Sequence, residues 1–88
     1  MSHDHLYRLT EHEQRVLPYF AAGMTHQQIA EALGLSVSTV EWYRHGIMQK
    51  LPAANKAQMA VWALITKQVE PAQILDIWRQ HLPHMVPE

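Results

Sequence analysis

Between residues 10 and 52 the chain is punctuated so closely that only short helices fit. Thr10 stands three residues before Glu13 and Thr25 three before Gln28, and the segments that follow close on Gly23 and Gly34. In a Thr-x-x-Glu or Thr-x-x-Gln capping box the hydroxyl accepts from the amide three residues on while the longer side chain reaches back. Both pairs therefore predict helix starts. Glycine enters the left-handed region without steric penalty, which predicts the two stops. Ser36 supplies a third start, and Pro52 ends what it begins.

Apolar spacing then assigns faces. Val16, Leu17, Phe20 and Ala21 share one face of a helix over residues 11–22, and Ile29, Ala30 and Leu33 line a second that closes at Gly34. That second helix, about eight residues long, is marginal alone and must be held by packing. Leu35 pins the connection to a third helix, residues 37–51, with Val37, Val40, Tyr43, Ile47, Met48 and Leu51 in register. Asn55 with Gln58 opens a fourth over residues 56–67, bearing Met59, Ala60, Ala63 and Leu64. Glu70-Pro71 opens a fifth over residues 71–82, bearing Ile74, Leu75, Trp78 and Leu82. Pro83 and Pro87 bracket a frayed tail, and residues 1–8 read as a mobile N-terminal arm. Two residues sit badly. Pro18 predicts a kink costing about 3 kcal/mol relative to alanine. Gly46 in mid-helix costs up to about 1 kcal/mol and makes sense only if another group approaches closely there.

Composition narrows the function classes. Helix formers dominate an 88-residue chain that is 48% hydrophobic, so an all-α single domain is expected, too small for a large cofactor or a deep cleft. The absence of cysteine removes disulfides and thiolate chemistry and is compatible with a reducing cytoplasm. The longest apolar stretch, residues 59–65, is far too short for a bilayer span, and the N-terminus lacks signal-peptide character, so a cytoplasmic protein is expected. No Ser/His/Asp arrangement, Gly-rich phosphate loop or carboxylate pair suggests an enzyme. His3 and His5 cannot close a tetrahedral metal site with only Asp4 between them, so neither metal nor cofactor is expected.

Two helices joined by a short Gly-containing turn, the second longer and richer in polar side chains, have the geometry of a helix-turn-helix. A set of residues in order and spacing extends this: Leu9-Thr10-Glu11 through Val16-Leu17, Ala21-x-Gly23-Met24-Thr25, Gln28-Ile29-Ala30, Leu33-Gly34-Leu35-Ser36, Ser38-Thr39-Val40-Glu41, Ile47, Lys50-Leu51 and Asn55-Lys56. Over residues 9–69 the chain resembles the LuxR/FixJ-type helix-turn-helix of bacterial transcription regulators. The resemblance implies a four-helix domain, reading of the DNA major groove by the third helix, and dimerisation often through the fourth. Residues 70–88 lie beyond it, so the fifth helix and tail are an addition. The chain reads as a stand-alone or excised domain with no receiver or ligand-binding domain of its own.

The positions that match the family's base contacts are Glu41, Trp42 and His45, with Ser38, Thr39 and Arg44 as neighbouring phosphate partners and Lys50 and Lys56 extending a basic strip. Three residues depart from the pattern: Glu41 where many members carry lysine, Tyr43 where histidine is usual, and Gly46 where asparagine is frequent. A carboxylate can accept from cytosine N4 but repels phosphate. Trp42 either touches a thymine methyl or ribose or packs on its own helix or another subunit. Arg44 either binds phosphate or pairs internally with Glu13 or Glu31. His45, once protonated, adds positive charge beside DNA.

A formal net charge of −1 runs against DNA binding, because phosphate contacts supply most non-specific affinity. Two functions therefore remain in view: a sequence-specific DNA-binding regulator, and a protein-interaction module that keeps the fold, antagonises another regulator and no longer reads DNA. Val61, Trp62 and Ile65 form a second apolar stripe on the fourth helix. They are expected to be covered either by Ile74, Ile77 and Trp78 of the fifth helix or by a second subunit in an isologous homodimer.

Overall fold

The computed structural model describes residues 8–87, which are all-helical. Helix α1 runs Glu11–Ala21, α2 His26–Leu33, α3 Val37–Lys50, α4 Lys56–Ile65 and α5 Pro71–His81, followed by one 3-10 turn, Pro83–Met85. The arm expected over residues 1–8 falls, apart from Arg8, outside the described residues.

The punctuation works as the residue types dictate. Thr10 Oγ1 accepts from the Glu13 amide at 3.2 Å while Glu13 Oε1 accepts from the Thr10 amide at 2.9 Å. Thr25 and Gln28 repeat the exchange at 3.1 and 2.9 Å. At the end of α1, Gly23 takes φ +86°, its amide donates to Phe20 O at 3.0 Å, and the Met24 amide donates to Tyr19 O at 3.2 Å. This pair of bonds is a Schellman motif and satisfies carbonyls the helix leaves open. Gly34, at φ +69°, ends α2, and the Leu35 amide reaches back to Ala30 O at 2.9 Å. α1 runs unbroken through Pro18, whose ring lacks only the amide that would bond Gln14 O, and Pro18 O accepts from the Ala22 amide at 2.9 Å.

α4 stops short of the expected residue 67. Lys67 adopts φ +60°, its amide bonds Leu64 O at 3.1 Å and the Gln68 amide bonds Ala63 O at 3.0 Å. This is the same Schellman geometry with a lysine where glycine is favoured. The turn brings Val69 into the core, fully buried. The tail also departs from expectation. Leu82 is buried, Met85 N–H donates to Leu82 O at 2.9 Å and Val86 N–H to Pro83 O at 3.2 Å, so residues 83–85 are ordered into a turn rather than frayed.

α1 is the central element, against which α2, α3, α4 and α5 all pack, while α2 and α3 pair with each other. Val16, Leu17 and Phe20 of α1 meet Ile29, Val40, Ile47, Met59 and Ala63, all buried. Val37, Leu64 and Leu75, which spacing assigns to apolar faces, are more than a third exposed, because the buried arc of each helix is narrower than its apolar arc.

α5 corrects one expectation. It does not lie over the stripe Val61, Trp62 and Ile65 but against α1: Ile74 and Ile77 are buried, and Trp78 Nε1 donates to Ala22 O at 2.8 Å. The left-handed turn at Lys67 directs the chain onto α1, where the carbonyl at the end of that helix offers the indole an acceptor. Val61 and Ile65 stay 53% and 63% exposed, with Trp62 half-buried.

Two stability measurements follow from these features. Lys67→Gly removes the strain of a left-handed side chain and is expected to stabilise by about 1 kcal/mol, raising Tm by about 4–8 °C for a domain of this size. A Tm at or below that of the parent would show that the turn is unstrained. Trp78→Phe, which keeps an aromatic ring but removes the donor, is expected to lose about 1 kcal/mol, and Trp78→Ala about 2–3 kcal/mol because the indole is only partly buried. Equal melting temperatures for both variants and the parent would make α5 an unattached appendage.

Candidate nucleic-acid interface

α3 is two-faced. Val40 and Ile47 are fully buried against the core, and Ser38, Glu41, Trp42, His45 and Gln49, at steps of three and four residues, share the exposed side. Ser36 Oγ caps the helix, accepting from the Thr39 amide at 3.1 Å, and lies 2.9 Å from Thr39 Oγ1, so the Thr39 hydroxyl is engaged in the cap. One turn apart, His45 Nε2 and Gln49 Nε2 are hydrogen-bonded at 3.0 Å. Trp42 is 73% exposed and makes no hydrogen bond or ring contact among the described residues. Glu41 is also exposed, and its carboxylate lies 3.7 Å from His26 Nδ1, beyond hydrogen-bonding distance.

What aims this face is a clamp between α1 and α3. Glu13 is buried, and its Oε1 accepts both from the Thr10 amide and from Lys50 Nζ at 2.6 Å. Burial by itself raises the pKa of Glu13, but the bonds from Lys50 and Thr10 and the charge of Lys50 outweigh it and hold the carboxyl below its usual range. The second oxygen explains Gly46: a methyl group at that position would overlap Glu13 Oε2. That oxygen is the end of a side chain, yet the bonds to Thr10 and Lys50 prevent it from swinging away. Beside the clamp, His12 of α1 stacks on Tyr43 of α3, ring centroids 5.6 Å apart and planes 11° from parallel.

The basic strip read from the sequence is divided by this arrangement. Lys50 is turned inward to Glu13. Lys56 Nζ donates to Met24 O at 2.9 Å, yet Lys56 still lines an open groove with Thr25, His26, Gln27, Val37 and Arg44. Arg44 makes no ion pair among the described residues, so the internal partner considered for it, Glu13 or Glu31, is not taken. His26 and Gln27, at the first turn of α2, join the site unannounced by any sequence signal. The clamp did leave a signal, the glycine in mid-helix. No group of three or more His, Asp or Glu side chains among the described residues is arranged to hold a metal.

The clamp generates two measurable outcomes. Alanine has the higher helix propensity, yet Gly46→Ala is expected to destabilise the parent, and in a Glu13→Ala background the same substitution is expected to become stabilising by up to about 1 kcal/mol. An unchanged sign in the two backgrounds, by denaturant titration, would remove the carboxylate as the cause. Because the folded pKa of Glu13 is depressed, its stabilisation is present above the unfolded value of about 4.3 and is lost as pH falls through the folded one. Glu13→Gln is therefore expected to flatten stability against pH below about pH 5, and a parallel profile would contradict the clamp.

Comparison with known proteins agrees with this geometry. Residues 7–63 match the model of the bacterial regulatory proteins of the luxR family. Over 62 residues the chain is 39% identical to the oxygen regulatory protein NreC of Staphylococcus carnosus (strain TM300) and of Staphylococcus aureus (strain JH9), a stretch covering 70% of this chain and 29% of each relative. The matched segment thus spans under a third of those relatives' length. No solved structure gives a significant match. The helix-turn-helix of α2 and α3, the supporting helices α1 and α4 and the match over most of the chain place it in one family: the chain belongs to the luxR family of bacterial regulatory proteins.

Proposed function

We propose that this domain binds double-stranded DNA as a transcription regulator, with α3 in the major groove. The observation that carries the reading is the exposed stripe Ser38, Glu41, Trp42, His45 and Gln49, presented on a helix whose other face is locked into the core. A recognition helix reads base edges from such a face while flanking groups hold phosphates. Glu41, Trp42 and His45 are the base-reading residues. Arg44, Lys56 and the first-turn amides of α2 take backbone phosphates, with Ser38 and Thr39 at the start of α3 beside them. Lys50 acts indirectly, by fixing α3 on Glu13.

A homodimer fits the same reading. Val61 and Ile65 are exposed, and Val61 with Trp62, Ala57 and Gln58 lines an apolar groove on α4 that a second copy would cover, presenting two α3 helices to a pseudo-palindromic site. No helix among the described residues is long and apolar enough to cross a membrane, and we assign the protein to the cytoplasm. We divide it into residues 9–69, the DNA-binding unit, and residues 70–88, whose helix α5 is a buttress on α1.

The second reading, an antagonist that binds another regulator, is favoured by one observation. The strip is electrostatically mixed, with Glu41 on the exposed face and Lys50 neutralised. The same experiment separates the two. Arg44→Ala is expected to weaken binding to every duplex tested, whatever its sequence, and to reduce the slope of log affinity against log salt by about one phosphate contact. Absence of any duplex binding by the parent at low salt, in a fluorescence anisotropy titration, would favour the antagonist.

A further inference from the structure

We infer that α3 reads two pyrimidine groups in the major groove at fixed positions, Trp42 seating on a thymine C5-methyl and Glu41 accepting from a cytosine N4 amino group. This rests on the proposed DNA binding and adds what is read.

The exposed stripe of α3 contains no arginine or lysine, the side chains that donate to the two acceptors of guanine. Glu41 points the other way chemically. A carboxylate only accepts, and no hydrogen bond to Glu41 forms among the described residues, His26 Nδ1 standing 3.7 Å from Oε1, so the carboxylate can take a donor. The major-groove donors are cytosine N4 and adenine N6, and adenine sets an N7 acceptor beside its amino group, which repels a second carboxylate oxygen. Cytosine is therefore favoured, and guanine, with acceptors at O6 and N7, is rejected by the same charge.

Trp42 is the other half. Its indole carries one donor, no acceptor and a large apolar face, 73% of the residue is exposed, and nothing among the described residues covers it. The apolar group on the major-groove edge is the thymine methyl. Successive residues of an α-helix diverge by about 100°, so Glu41 and Trp42 address different base pairs. Both residues lie on the exposed face away from the buried Val40 and Ile47, so changing them leaves the core intact.

The test is selection from a randomised duplex library with the full chain, followed by titration of the selected duplex with one thymine at a time replaced by deoxyuridine, which removes only the methyl. The parent is expected to enrich cytosine and thymine at fixed positions and to lose about fourfold affinity at one uridine substitution, the effect of one buried methyl-sized group. Trp42→Ala should lose that uridine penalty and keep the cytosine, whereas Glu41→Gln should weaken the cytosine preference about fivefold or more and keep the penalty. Thermal melts confirm that both variants fold. Unchanged base preferences in the variants overturn the inference, as does a parent that binds duplexes without base preference, which would leave the DNA-binding reading standing. A parent that retains no duplex at low salt overturns both.

Discussion

The carboxylate of Glu13 ties together three features of α1 and α3 through one polar group within their apolar contact. It completes the N-terminal cap of α1, anchors Lys50 at the end of α3, and fills the space that Gly46 leaves on the side of α3. A buried ion pair is a poor source of net stability, because desolvation offsets much of the attraction. Its worth here is geometric. An ammonium at one end and a missing side chain one turn earlier accept the carboxylate in only one register, so α3 can neither slide nor rotate on α1 without stranding a charge. Since α1 also supports α2, α4 and α5, the register of α3 decides where Ser38, Glu41, Trp42, His45 and Gln49 point.

Charge is distributed unevenly around that face. Lys50 is turned inward and Glu41 outward, while Arg44, without an ion pair among the described residues, and Lys56 line the groove toward the start of α2. With a net charge of −1 the domain cannot rely on general attraction to a polyanion. Affinity of the proposed complex must then come from local contacts, and those on the α3 face are of the selective kind.

α5 lies beyond the stretch matched by the family and packs on α1. Its indole bond to Ala22 O and the burial of Ile74 and Ile77 brace the end of α1. By docking there it lies away from the apolar groove that Ala57, Gln58 and Val61 line on α4, so the extra helix does not compete with the proposed dimer contact.

Helix starts and stops were legible in the sequence because they are local. Thr10 with Glu13, Thr25 with Gln28, Ser36, Gly23 and Gly34 act within four or five residues of themselves, and the observed bonds lie where those residue types put them. The family was legible for the same reason, since its residues recur at fixed spacing along the chain. Tertiary structure alone decided the rest. Lys50 reads as a phosphate contact until the fold brings Glu13, distant in sequence, to 2.6 Å, and Gly46 reads as a defect until the same carboxylate occupies its empty side. Likewise periodicity gave α5 an apolar face but no address. Complementary apolar faces do not carry sequence order, and a left-handed turn at Lys67, which no glycine announced, directed that face onto α1 rather than α4.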